Sequence, residues 1–187
     1  MKLKTKLSKG FTLIELLVVI AIIAVLAALS TPAIIGALNK AKIAKSKGVC
    51  QAFEVAVNNF ENEYNYLPYD GGGNAPDSDL LAQQSNDGLM SILAGREDQI
   101  NFKQIKFFQQ PNAKAKKDGM LITGNNVELF DPWGQKYYVS MDYDLDDELP
   151  DPFGGSDIQG KKVLIWSKGA DNLAGDIKKN RDNASNF

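Results

Sequence analysis

Residues 11–37 contain one charged side chain, Glu15. Every other position in that run is apolar, small or hydroxyl-bearing. An acid in a membrane segment costs about 2.5–3.5 kcal/mol on insertion scales, and somewhat less near the segment's end. A plain apolar anchor gains nothing from that cost, so the carboxylate points to a partner. A cut after Gly10 would create one, the free amine of Phe11 four residues upstream. Four residues of helix rise only about 6 Å, so the pair can form within one chain or between neighbours. The sequence leaves both arrangements open.

Other reactive residue types are sparse. The chain has no histidine, which removes the commonest general base and metal ligand, and its single cysteine, Cys50, allows no intrachain disulfide. Cys50 falls in a stretch of helical periodicity and reads as a small packed residue. Asp142, Asp144, Asp146, Asp147 and Glu148 alternate like the start of an EF-hand loop, but the sixth place holds no glycine and the twelfth is Phe153. That rules out an EF-hand and leaves a solvated acidic loop with weak cation binding open. Lys114, Lys116 and Lys117 read as a solvated loop. Asp131-Pro132-Trp133-Gly134 reads as a turn plugged by aromatics, with no catalytic role.

The whole chain carries 21 basic and 23 acidic residues, a net charge of −2. Four of the lysines lie within residues 1–10, so a chain cut after Gly10 has 17 basic against 23 acidic residues. That balance excludes a bulk nucleic-acid-binding domain, and no nucleic-acid partner is expected. With 187 residues the chain has room for about one domain and an appendage.

The elements that would position Glu15 follow from periodicity. Lys2, Lys4, Lys6 and Lys9 ahead of an apolar run have the shape of a secretory signal, with Ala28-Leu29-Ser30 as a small-residue cleavage site. Glu15 argues against that reading. A simple membrane anchor is a second reading, since about 20 residues suffice to cross a bilayer. Lys40, Lys42, Lys45 and Lys47 follow the run and equal the lysines before it, so charge count gives no orientation. Beyond them Val49, Phe53, Ala56, Phe60, Tyr64 and Leu67 recur at helical steps. The pattern predicts one helix from Phe11 to about Asn65, with a break near Pro32 or Gly36 as the alternative. Pro68 disfavours helix in Leu67 and closes it.

Residues 69–85 read as a Gly-, Asn- and Asp-rich loop, and 96–118 as irregular, with Phe102, Phe107 and Phe108 tucked onto the domain. A short helix over Asp87 to Leu93, ending at Gly95, lies between them. Strands are expected over 120–123, 127–130, 136–141 and 161–166, the first two joined by Gly124-Asn125-Asn126. The fold class is α+β: a long helix, transmembrane in its first half and amphipathic in its second, packed on a small antiparallel sheet. The expected divisions are 1–10, a cleaved leader; 11–37, the transmembrane helix; 38–67, its amphipathic continuation; and 68–187, a globular domain whose segment 69–118 is variable.

Gly10-Phe11-Thr12-Leu13-Ile14-Glu15-Leu16, with Pro32 further along, resembles the processing site of type IV pilin-like proteins, including the pseudopilins of type II secretion. The resemblance implies a pilin-like fold and a leader removed between Gly10 and Phe11 by a prepilin peptidase that also N-methylates Phe11. It implies a membrane helix that becomes a filament core, with Phe11 and Glu15 as assembly residues. Asp131-Pro132-Trp133-Gly134 and the segment Ser167-Lys168-Gly169-Ala170-Asp171 are similar to motifs of the major, G-type pseudopilin. That likeness implies a calcium ion at the last loop, held by Asp171, Asp176 and Asp182; Lys178, Lys179 and Arg181 depart from the pattern and would oppose a cation.

The function implied is that of a structural, non-enzymatic subunit of a type II secretion pseudopilus that supports protein export across the outer membrane. Its partners would be the prepilin peptidase, membrane lipid before assembly, further copies of itself, minor pseudopilins and an inner-membrane assembly platform. It would sit in a bacterial inner membrane with its carboxyl-terminal domain in the periplasm. The alternatives are a pilin of a type IV pilus or DNA-uptake apparatus, and a membrane-anchored periplasmic binding module or hydrolase.

Overall fold

A run that is apolar all round needs lipid or protein on every side, and one that is apolar on a single face needs a sheet or helix against that face. The computed structural model describes residues 10–71, 80–84, 87–172 and 183–187. In it both runs belong to one helix, α1 (Leu13–Tyr64, 52 residues). Pro32 lies inside α1 without ending it. Its ring removes one backbone N–H. Just ahead of it the hydroxyls of Ser30 and Thr31 donate to the carbonyls of Leu26 and Ala27, each at 2.8 Å. The alternative of two helices broken near Pro32 or Gly36 is therefore not the one that forms.

The chain divides into two compact units, residues 1–39 and 40–187, and α1 contributes to both. In the first unit the large apolar side chains from Leu13 to Leu38 are all exposed, from 46% at Val19 to 82% at Leu13. In the second unit Cys50, Phe53, Ala56, Val57, Phe60 and Tyr64 are buried along one face of α1. The face is wider than the periodic residues alone suggested, because Cys50 and Val57 belong to it. α1 stops where Asn65 takes a left-handed φ of 63°, a conformation asparagine tolerates.

The remaining described elements are β1 (Leu80–Gln84), α2 (Asp87–Leu93), β2 (Gly119–Thr123), β3 (Asn126–Phe130), β4 (Tyr138–Met141), β5 (Glu148–Leu149), β6 (Ile158–Gln159), β7 (Val163–Ser167) and β8 (Ala184–Ser185). The class is α+β with antiparallel strands, as expected. The strands form three sheets: a four-stranded one in the order β1-β4-β7-β8, and the pairs β2-β3 and β5-β6. Strand β7 is the hub. Its Trp166 pairs with Tyr138 of β4 on one side and with Ser185 of β8 on the other.

Alternation along β7 divides its side chains between two apolar clusters. Val163 and Ile165 join the main core with Phe53 and Phe60 of α1, Met90 and Ile92 of α2, and Val139 of β4. Leu164 and Trp166 join a smaller cluster with Leu149, Phe153 and Phe187. Phe108 meets Phe53 edge-on at 5.6 Å between ring centroids, and Phe107 meets Phe60 at 5.3 Å. Burying a side chain of this size contributes about 1.5–3 kcal/mol. Lys161 and Lys162, just before β7, reach Glu54 and Glu61 of α1, each at 2.5 Å. These half-exposed pairs are worth about 0–1 kcal/mol each.

Three local expectations change. Leu80–Gln84, read as part of a loop, is an edge strand on β4. The β2-β3 turn is two residues long, because Thr123 pairs with Asn126, and Gly124 supplies its positive φ of 64°. Phe102 is 61% exposed, whereas Phe108 is buried.

Candidate functional site

The start of α1 is built by a reciprocal cap. Thr12 precedes the first helical residue, and its backbone N–H and its hydroxyl both donate to Oε2 of Glu15, at 2.9 and 2.7 Å. The Glu15 N–H donates back to Oγ1 of Thr12 at 3.3 Å. This is a capping box, which satisfies backbone donors that a helix end leaves open. It also sets an acid against the positive end of the helix dipole. Glu15 therefore has partners within its own chain, independent of any amine at Phe11. Sequence reasoning singled out Glu15 and missed Thr12, although the Thr-x-x-Glu spacing was there to be read.

Both Thr12 donors converge on Oε2, and Oε1 takes neither of them. The carboxylate thus keeps one oxygen for a further donor such as an ammonium. Gly10 and Phe11 lie ahead of α1 and are exposed, Phe11 at 78%. The peptide bond between them is outside the helix, where a protease can take it in extended form. Lys2, Lys4, Lys6 and Lys9 lie outside the described residues.

A second polar centre joins the two carboxyl-terminal motifs. Asp131 is fully buried. Its Oδ1 accepts the N–H groups of Trp133, Gly134 and Gln135 at 2.9, 2.7 and 2.8 Å. Its Oδ2 accepts the hydroxyl of Ser167 at 2.6 Å, and Ser167 Oγ in turn accepts the Gly169 N–H at 3.1 Å. A buried carboxylate is tolerable when it is hydrogen-bonded this fully. Gly134 provides the φ of +99° that lets the turn wrap around Asp131. The turn was legible from Asp-Pro-x-Gly; its attachment to Ser167 was not. Tyr137, at the end of the same turn, shares a hydrogen bond with Ser46 of α1 at 2.9 Å, and burial pushes its phenol well above the ordinary range.

Of the three residues proposed for the last-loop cation, Asp171 is exposed in the turn after β7, while Asp176 and Asp182 lie outside the described residues. Among the described residues, the acids brought together are Asp142, Asp144 and Asp146. Cys50 is fully buried beside the Ala184 carbonyl, at 3.7 Å, and burial pushes its thiol far up. A thiol so placed is not poised as a nucleophile.

α1 is long and apolar enough to cross a membrane, by length and composition. The family model described as "Prokaryotic N-terminal methylation motif" matches residues 5–31. That span contains Gly10, Phe11, Thr12 and Glu15 and ends just before Pro32. Comparison with curated proteins and with solved structures gives no match. The motif supports a type IV pilin-like protein processed by a prepilin peptidase. Together with α1 it is consistent with membrane anchoring through the amino-terminal helix.

Proposed function

We propose that this chain is a structural, non-enzymatic pseudopilin of the major, G-type class, a subunit of a type II secretion pseudopilus. One observation carries the reading. An exposed Gly10–Phe11 peptide leads directly into a helix whose first turn holds Glu15 and whose apolar surface is exposed on every side up to Leu38. Such a surface is stable only in lipid or among copies of itself. Processing exchanges a lysine-rich leader for a single ammonium at Phe11. In the polymer, that ammonium meets Glu15 of a neighbouring subunit where a lone charge is costly. A contact that repeats without closing generates a helical filament.

The likeness of Asp131-Pro132-Trp133-Gly134 and of Ser167 to Asp171 to G-type motifs supports the secretion assignment over a type IV pilus. Their direct hydrogen bond gives the two motifs one structural purpose, the fastening of the turn to β7. In this reading the carboxyl-terminal domain is periplasmic, minor pseudopilins and an inner-membrane platform are the assembly partners, and Asp171, with Asp176 and Asp182, holds a calcium ion.

The test is the mass of the amino-terminal peptide after co-expression of the full chain with a prepilin peptidase. N-methylated Phe11 is the expected terminus. A terminus near Thr31 would make the chain an ordinary exported protein, and an uncut leader would leave a simple anchor. Loss of folded-cargo export on deletion, with surface pili retained, is the outcome that separates secretion from a pilus.

A further inference from the structure

We propose that Asp142, Asp144 and Asp146, in the loop after β4, form a binding site for a hard divalent cation of the calcium class, separate from the last loop. One carboxylate oxygen from each of these residues lies within 4.8 Å of the other two. A point equidistant from three atoms at that limit is about 2.8 Å from each, and small side-chain rotations reach the 2.3–2.6 Å that calcium prefers.

The second observation is the state of Asp142. The residue is 2% exposed, and its buried Oδ1 has no hydrogen-bond partner among the described residues. Its Oδ2 accepts the Asp147 N–H at 3.2 Å, a long contact for a carboxylate. A buried carboxylate oxygen without a donor is costly, and a cation is the group that offsets it.

Among the described residues, the two lysines just before β7 are engaged elsewhere. The Lys162 carbonyl accepts the Asp142 N–H at 3.1 Å, but the Lys162 ammonium turns to Glu61 at 2.5 Å. Lys161 turns to Glu54 in the same way.

The frame around the three acids is fixed. Met141 and Tyr143 flank Asp142 and are buried, and the Tyr143 hydroxyl donates to the Pro68 carbonyl at 2.6 Å. Downstream, β5 pairs with β6, and the Gly160 N–H donates to the Asp147 carbonyl at 3.1 Å. Asp144 and Asp146 are exposed, so an ion can enter from solvent. The donors are all oxygens in an irregular loop. That suits calcium, which accepts loose geometry and completes its six to eight ligands with water and carbonyls; magnesium demands a near-ideal octahedron.

The experiment uses the full chain in detergent micelles, stripped with EDTA and titrated with calcium chloride, magnesium chloride or terbium chloride. Calcium is expected to raise Tm, magnesium to raise it less, and terbium luminescence to be sensitised through Tyr143. Asp144→Asn and Asp146→Asn should each weaken calcium binding by about tenfold or more while leaving Tm in EDTA unchanged. Asp171→Asn, in the other acidic loop, is expected to remove only the calcium response which that loop contributes and to leave the terbium luminescence sensitised through Tyr143 intact. A Tm indifferent to calcium, binding unaltered in Asp144→Asn and Asp146→Asn, or binding lost only in Asp171→Asn would each overturn the assignment. An equal response to magnesium would overturn the calcium-class preference.

Discussion

Glu15 has one task that the structure shows and a second that the proposed filament would give it, and a single substitution confuses the two. Its Oε2 closes the capping box with Thr12, while its charge is what a neighbouring ammonium would meet. Glutamine serves the cap nearly as well as glutamate but carries no charge. Glu15→Gln is therefore expected to keep the first turn of α1 and to lose filament assembly, whereas Glu15→Ala loses both. Circular dichroism of the amino-terminal peptide in micelles reads the first effect, at about 0.5–2 kcal/mol for a lost cap. Electron microscopy of assembled fibres reads the second. Fibres from Glu15→Gln at the wild-type level would show that the cap, not the charge, is what assembly needs.

Among elements, α2 shows how completely local chemistry can specify an ending. After Leu93 the chain closes with Gly95 N–H to Ile92 carbonyl at 3.1 Å and Arg96 N–H to Ser91 carbonyl at 2.9 Å, the bond pair of a Schellman motif. Gly95 has φ of +68°, and a Cβ there would stand 2.6 Å from the Gln104 carbonyl oxygen. Gly95→Ala is expected to destabilise the protein by about 1–3 kcal/mol, measured by denaturant unfolding in detergent. A loss under about 0.5 kcal/mol would mean that the Gln104 loop gives way freely. That helix and its glycine stop were legible in the sequence, as was the buried face of α1, because both follow from periodicity and caps. Strand β1 was not. Leu-Leu-Ala-Gln-Gln has the composition of a helix former, and it becomes a strand only because β4 offers an open edge. The two-residue strands β5, β6 and β8 carry no pattern of their own. At the candidate sites, the residue types at Gly10, Phe11 and Glu15 were readable. The burial of Asp131 and Asp142 was not, since it depends on contacts made far along the chain.

For the molecule as a whole, Cys50 is a built-in reporter. It lies in the main core of the 40–187 unit, fully buried, and its raised thiol pKa leaves less thiolate at pH 8 than a free cysteine has. Labelling by a thiol reagent is expected to run about three orders of magnitude slower in the folded full-length chain than in denaturant, because it waits for that unit to open. Rapid labelling of the native protein would mean that α1 and β8 separate locally around Ala184. The bond between Asp131 and Ser167 has a different reach. Grafting residues 131–137 into another protein of this architecture without a hydroxyl at the position of Ser167 would import a sequestered anion with one oxygen stranded. The portable unit is therefore a discontinuous one, and recombination between related genes would have to carry both pieces together to leave a foldable product.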